Sequence, residues 1–146
     1  MTGVGGGSGQ GRWTATWRAS VVVCTRDRPE LLPRALDSVL REVGPDDEVI
    51  VVDDGADAAV IPSSRAIRVL RTTGAGPAGA RAAGLEAARG RYVAWCDDDD
   101  QWIPGDLDAL IAVLEDEPDV ALVYGDAVLD VAGSSDPPTV PYTLDF

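Results

Sequence analysis

The chain has 146 residues, 45% of them apolar, which is enough for one domain with a real core. A formal charge of −13 argues against a nucleic-acid or anionic-membrane partner, because neither offers counter-charge to an acidic surface. With no histidine, the chain has no Ser-His-Asp or Cys-His arrangement, no HExxH zinc site and no histidine base, so its chemistry rests on carboxylates, arginines, backbone and any metal they hold. No apolar run approaches the roughly 18 residues that span a bilayer. The N-terminus also lacks the basic-then-apolar order of a secretion signal, so a soluble cytoplasmic protein is expected. Cys24 and Cys96 each fall at the end of a predicted strand and are expected as free, buried thiols in a reducing cytosol.

Residues 1–16 (MTGVGGGSGQGRWTAT) are Gly-rich and polar, and are expected to form a disordered tail ahead of a domain over 17–146. ASVVVCT (19–25) is a continuous β-branched run, as a strand buried on both faces requires. In the following RDRPELLPRALDSVLREVG, Leu31, Leu32, Ala35, Leu36, Val39, Leu40 and Val43 recur at helical spacing. Pro29 suits the first helical position and Gly44 the stop, while Pro33 is tolerable only near the first turn. EVIVVDDG (48–55) predicts a second buried strand, and IRVL (67–70) a third. GPAGARAAGLEAARG (76–90) predicts an Ala-rich helix closed by Gly90, followed by a fourth strand, RYVAW (91–95). A helix is expected from Pro104 to Glu115, with Leu107, Leu110, Ile111 and Leu114 on one face. DVALVYGDAVLDV then predicts two strands around Gly125-Asp126. Strands alternating with helices imply an α/β fold with a mostly parallel sheet.

The fourth strand runs into Asp97, Asp98, Asp99 and Asp100. Two like charges about 4 Å apart repel by roughly 4 kcal/mol at an effective dielectric near 20, so this run strains the fold unless something positive gathers there. In parallel sheets, ligands bind outside the carboxyl ends of the strands. Thr25-Arg26-Asp27, Asp53-Asp54 and Asp97–Asp100 all follow strand ends, so neighbouring parallel strands would bring them to one rim as a site. Successive side chains of an extended segment alternate, which places Asp97 and Asp99 on one side, Asp98 and Asp100 on the other. A competing motif is GAGPAG (74–79). Gly74, Gly76 and Gly79 satisfy G-x-G-x-x-G ahead of a helix, with Asp97 18 residues on, as in an FAD- or NAD-binding module. Thr72 and Thr73 separate it from the strand tip, and three further carboxylates after Asp97 would repel a diphosphate.

VVVCTRDRPELLPRALDSVL, EVIVVDDG, GPAGARAAGLEAARGRYVAWCDDDDQWIPGDLDALI and DVALVYGD together resemble the opening half of a family 2 glycosyltransferase, over about Ala19 to Asp130. The resemblance implies a GT-A fold, a Rossmann-like, mostly parallel sheet flanked by helices, and transfer of a sugar from a nucleotide-diphosphate sugar to an acceptor hydroxyl with inversion. It implies a divalent cofactor, Mn²⁺ or Mg²⁺, held by Asp99 and Asp97 of a D-x-D element. It also implies nucleotide-sugar contacts from Thr25, Asp53, Asp54, Arg81, Asp97 and Asp98. Asp54 is then the partner of a pyrimidine ring N–H, and Trp102 walls the sugar pocket or packs in the core. Asp27 falls where the family often has an aromatic or other residue, and an N-cap is as much to be expected of it as a role at the pocket. The family's general base lies in its second half, beyond PYTLDF. The resemblance therefore implies a C-terminally truncated donor-binding half in which neither Asp126 nor Asp130 is nominated as the base. The acceptor is left open, as is peripheral association with a membrane.

Overall fold

A computed structural model describes residues 15–64 and 66–125. The expected tail lies outside these apart from its last two residues, as does the second of the two strands expected around Gly125. Two units follow one another, divided after Trp102. The first holds strands β1 (Trp17–Thr25), β2 (Asp47–Asp53), β3 (Ile67–Arg71) and β4 (Gly90–Asp97), with helices α1 (Leu32–Glu42) and α2 (Gly76–Ala87). All neighbouring strands are parallel, in the order β3-β2-β1-β4.

This order follows from chain direction and handedness. The chain steps from β1 to β2 to β3 in one direction, then returns across the sheet to β4. Right-handed crossovers in opposite directions put α1 and α2 on opposite faces. Val22, Ile50 and Val52 pack with Ala80 under α2. Alternation along the strands turns Val21, Val23, Val49 and Val51, none more than 0% exposed, to the other face. The α1 side chains Leu32, Ala35, Leu36 and Val39 complete the buried set. The strand order reverses between β1 and β4, and parallel sheets open a ligand crevice at such a switch point.

Three helix ends differ from expectation, each for a local reason. α1 starts at Leu32 rather than Pro29, because Pro33 has no N–H to bond the Pro29 carbonyl. The preceding turn is closed instead by the Leu31 and Leu32 N–H groups on the Arg28 carbonyl. α2 ends at Ala87, capped by an extended Ala88, so Gly90 does not close it. Gly90 opens β4, where a Cβ would sit on the Ser20 nitrogen and the Ala19 carbonyl carbon; it is glycine because two backbones meet there. In the second unit, α3 spans Asp106–Asp116, two residues inside the expected start. Gly105 precedes it at φ 95, and the Ile103 N–H donates to Asp106.

Residues 119–125 form no strand, contrary to the alternation of DVALVYG. A strand exists only where its N–H and C=O groups find a neighbouring ladder. None is present among the described residues, and Leu122 and Tyr124 stand exposed.

The two ends of the sheet have different polar chemistry. At the amino end, buried Asp47 accepts from Arg18 Nε and Nη2 at 2.8 and 2.7 Å, and from the Ala19 and Gly44 amides. Beside it, Ser20 donates to Glu48, and the Arg89 N–H donates to both side chains. These bonds fasten the start of β4 to β1 and β2. The carboxyl end carries the candidate site.

Candidate functional site

Four elements meet at the carboxyl ends of β1 and β4, where they enclose an open hollow of about 350 Å³. β1 supplies Cys24 and Thr25. The loop after it supplies Arg26 and Arg28. The loop after β2 gives Asp54, and the first turns of α2 give Gly76, Ala80 and Arg81. Asp97 ends β4, with Asp98 and Asp99 following it. Of the residues expected to bind a nucleotide sugar, Thr25, Asp54, Arg81, Asp97 and Asp98 line the hollow together with Asp99. Asp53 and Trp102 are not among its lining residues.

Asp98 is buried at 5% exposure. It accepts from the Thr25 hydroxyl at 2.7 Å and from Arg28 Nη1 at 2.9 Å, tying the tips of β1 and β4 together. Arg28 Nη1 also donates to Asp99 at 2.8 Å, and Arg81 Nη2 donates to Asp97 at 2.7 Å. Asp100 departs from the alternation expected of an extended run. β4 stops at Asp97, and the Asp100 N–H bonds back to the Asp97 carbonyl, so the chain turns and brings Asp100 beside Asp97 and Asp99. One carboxylate oxygen from each of the three lies within 4.8 Å of the others. Hard oxygen donors converging at this spacing suit Mg²⁺ or Mn²⁺. Burial, and then the charges of Asp99 and Asp97, push the Asp100 carboxyl above its ordinary range.

Asp54 is 4% exposed and heavily engaged. Its Oδ1 accepts from the Thr72 hydroxyl at 2.6 Å and the Ala75 N–H at 2.7 Å, its Oδ2 from the Gly76 N–H at 2.9 Å. The Thr72 hydroxyl and these amides together outweigh burial and hold its carboxyl below the ordinary range. A carboxylate offers about four acceptor positions, so one remains, on Oδ2, the oxygen 3.9 Å from Arg26 Nη1. The same bonds bear on the Gly74-Gly76-Gly79 motif. Gly74 and Gly76 do take left-handed conformations at φ 66 and 74, but the amides at the start of α2 are given to Asp54. The Ala75 and Gly76 amides are thereby taken from any dinucleotide phosphate.

Asp53 lies outside the lining of the hollow. Its carboxylate accepts from the Gly55 and Ala59 amides and from Arg71 Nη1 at 2.6 Å, shaping the loop after β2. Asp27 is no N-cap: Leu31 holds that position without a side-chain bond. Asp27 instead takes φ 53, and its side chain accepts the Ala56 N–H at 3.0 Å. The Trp102 N–H donates to Ser38 of α1. Cys24 pairs in register with Asp97, and Val23 with Cys96. The two cysteines therefore sit one step apart on adjacent strands and face opposite sides of the sheet, both as free thiols. Burial, reinforced by Asp100 and its neighbours, pushes the Cys96 thiol up to about 12, which leaves it inert.

Sequence reasoning missed Arg28 and Asp100. The signal for Arg28 lies in composition, since all twelve basic residues are arginines and two of them stand in the four-residue stretch after β1.

The glycosyl transferase family 2 profile matches residues 20–138. The succinoglycan biosynthesis protein ExoO of Rhizobium meliloti is 41% identical over 96 residues, 62% of this chain and 28% of that protein. A UDP-Glc:alpha-D-GlcNAc-diphosphoundecaprenol beta-1,3-glucosyltransferase of Escherichia coli, WfaP, is 28% identical over 67% of this chain and 41% of its own length. An uncharacterized glycosyltransferase of Haemophilus influenzae is 29% identical over 72% of this chain and 37% of its own. The chain thus matches less than half the length of each of these relatives. Among solved structures, S. aureus TarS 1-349 in complex with UDP-GlcNAc superposes with a TM-score of 0.61 at 22% identity, over 82% of this chain and 37% of that one. This shared fold is the GT-A-like α/β sheet. With the family profile matched over most of its length and the same fold beneath it, the chain belongs to glycosyl transferase family 2.

Proposed function

We propose that this chain forms the donor-binding half of an inverting glycosyltransferase, which takes a nucleoside-diphosphate sugar with Mn²⁺ or Mg²⁺ and passes the sugar to an acceptor hydroxyl. The observation that carries this reading is the convergence of Thr25, Asp54, Arg81 and Asp97–Asp99 on one hollow at the switch point between β1 and β4. Asp97 and Asp99, joined by Asp100, would hold the metal, which offsets the charge of a departing nucleoside diphosphate. Asp54 would use its remaining acceptor position for a base N–H. Thr25 and Asp98 hold the floor between β1 and β4, and Arg81, which lines the same hollow, would approach the phosphates.

Direct displacement also needs a base for the acceptor's proton. In this reading Asp97 and Asp99 serve the metal, while Asp98 is held by Thr25 and Asp54 by Thr72 and backbone amides, so the base is assigned to none of them. A cytoplasmic site of action is in keeping with two free cysteines on opposite sheet faces, which leave no disulfide to lose in a reducing compartment. No described helix is long and apolar enough to cross a membrane.

A relative named for a UDP-linked sugar and a fold neighbour solved with UDP make UDP the first nucleotide to test. Calorimetric titration is expected to give saturable heat with UDP in the presence of Mn²⁺ and little without it. GDP and dTDP, titrated alongside, read the base preference. An absence of heat with all three nucleotides and either metal would remove the proposal.

A further inference from the structure

Each of the four carboxylates lining the hollow faces an arginine. Arg26 stands 3.9 Å from Asp54, Arg81 2.7 Å from Asp97, and Arg28 is shared between Asp98 and Asp99 at 2.9 and 2.8 Å. Arg28 differs from the other two because one nitrogen, Nη1, serves both carboxylates. Its two partners also differ. The Asp98 side chain is 6% exposed and fixed from behind by the Thr25 hydroxyl, whereas that of Asp99 is 52% exposed on the turn. The left-handed kink at Asp27, pinned by the Ala56 amide, fixes the loop that carries Arg28.

We propose that Arg28 is the resident counter-cation of the acidic turn, and that it exchanges Asp99 for the diphosphate of the incoming nucleotide. This rests on the donor-binding reading above. A divalent ion at Asp99 and the guanidinium already paired with it would compete for one carboxylate and repel each other, so metal alone would have to draw Asp99 from Arg28 without compensation. A diphosphate arriving with the metal supplies that compensation, because a guanidinium fork pairs with phosphate oxygens as well as with a carboxylate. Asp98, held by Thr25, keeps the Arg28 head at the mouth of the hollow during the exchange and is thus a positioning residue. Metal and nucleotide are therefore coupled: each binds weakly alone and strengthens the other, by the same factor in both directions.

The test measures Mn²⁺ affinity from the electron paramagnetic resonance signal of the free ion, without nucleotide and with saturating UDP, in the wild-type chain and in Arg28→Gln. With the competing charge gone, the variant is expected to bind Mn²⁺ alone about 5- to 10-fold more tightly. It is expected to bind UDP at saturating Mn²⁺ weaker by a similar factor, within the usual range of coupling between sites. Arg28→Lys keeps the charge but not the fork, so its Mn²⁺ affinity without UDP should stay at the wild-type value while UDP weakens. A purely structural role would move both affinities in one direction, and that outcome overturns the proposal. Unchanged Mn²⁺ affinity in Arg28→Gln overturns it as well. A wild-type chain that binds neither Mn²⁺ nor UDP overturns the donor-binding reading itself, a distinct result. Independently of any variant, the Arg28 side-chain Nε–H resonance should shift when Mg²⁺ and UDP are added together. If it stays in place while UDP binds, the exchange does not occur.

Discussion

Asp99→Asn is expected to weaken Mn²⁺-dependent UDP binding by about 10- to 100-fold, a range that even groups supporting a metal ligand reach when removed. The substitution keeps size and shape but removes the charge and the hard anionic donor that Mn²⁺ needs. Stability should hardly change. Asp99 sits on an exposed turn, and its ion pair with half-exposed Arg28 is screened by water and adds little to stability. Loss of metal-dependent binding without loss of melting temperature is the signature to look for in calorimetry and thermal denaturation run on the same sample. Asp97→Asn should behave alike, since Asp97 shares the cluster and is half-exposed. Asp57→Asn, on the exposed loop after β2, serves as the control that changes net charge by the same amount. If it weakens UDP as much as Asp99→Asn does, the effect is overall charge and not ligation.

Asp47→Ala is expected to do the reverse, costing about 3–4 kcal/mol of stability and leaving the site chemistry alone. Asp47 is 1% exposed. Its loss strips the Ala19 and Gly44 amides of their acceptor and Arg18 of its bidentate partner. Each buried donor left unpaired costs about 1–3 kcal/mol. For a domain of this size the midpoint should fall by about 10–20 °C. Asp47 opens β2 and Asp53 closes it, a separation of about 20 Å at strand rise, so UDP affinity measured well below the new midpoint should match wild type. Acid reveals the same contact. Burial alone would push the Asp47 carboxyl up, but the Arg18 guanidinium and the Gly44 and Ala19 amides outweigh it and hold the group below its ordinary value. A carboxyl depressed by folding contributes stability above its unfolded pKa of about 3.9, and that contribution is lost as pH falls through the folded value. Asp53 adds to the trend: burial opposes its ionisation, but the Ala59 and Gly55 amides and Arg71 prevail. The wild-type midpoint should therefore drop as pH falls below about 4, and Asp47→Ala should show a shallower drop.

The strands were legible because Val21–Val23 and Val49–Val52 are uninterrupted β-branched runs, and a strand buried on both faces has no other pattern. Their convergence was legible too, since parallel strands put every carboxyl end on one rim. Gly90 was misread because a glycine after an Ala-rich helix looks like a stop; its real constraint is the backbone of Ala19 and Ser20, seventy residues away in sequence. Asp100 was placed on the wrong side because alternation holds only while the chain is extended, and β4 ends one residue into the acidic run. Asp53 and Asp54 look identical in sequence. Only the loops that donate amides to each, from Gly55 and Ala59 to one and from Ala75 and Gly76 to the other, give them different work. Arg28 was silent because an arginine in a polar loop after a strand reads as a solvated charge until its partner appears seventy residues on.

Mn²⁺ is paramagnetic and broadens nuclear resonances in its neighbourhood, so substoichiometric Mn²⁺ added to the isotope-labelled chain with UDP reports directly where the ion and the nucleotide sit. The amide signals of Thr25, Asp54, Arg81 and Asp97–Asp100 should fade first, together with the phosphorus signals of UDP, while those of Asp47 and Glu48 at the far end of the strands persist. Broadening centred on the Asp47 end, or phosphorus signals untouched while the 97–100 amides fade, would contradict a metal shared between the acidic turn and a diphosphate.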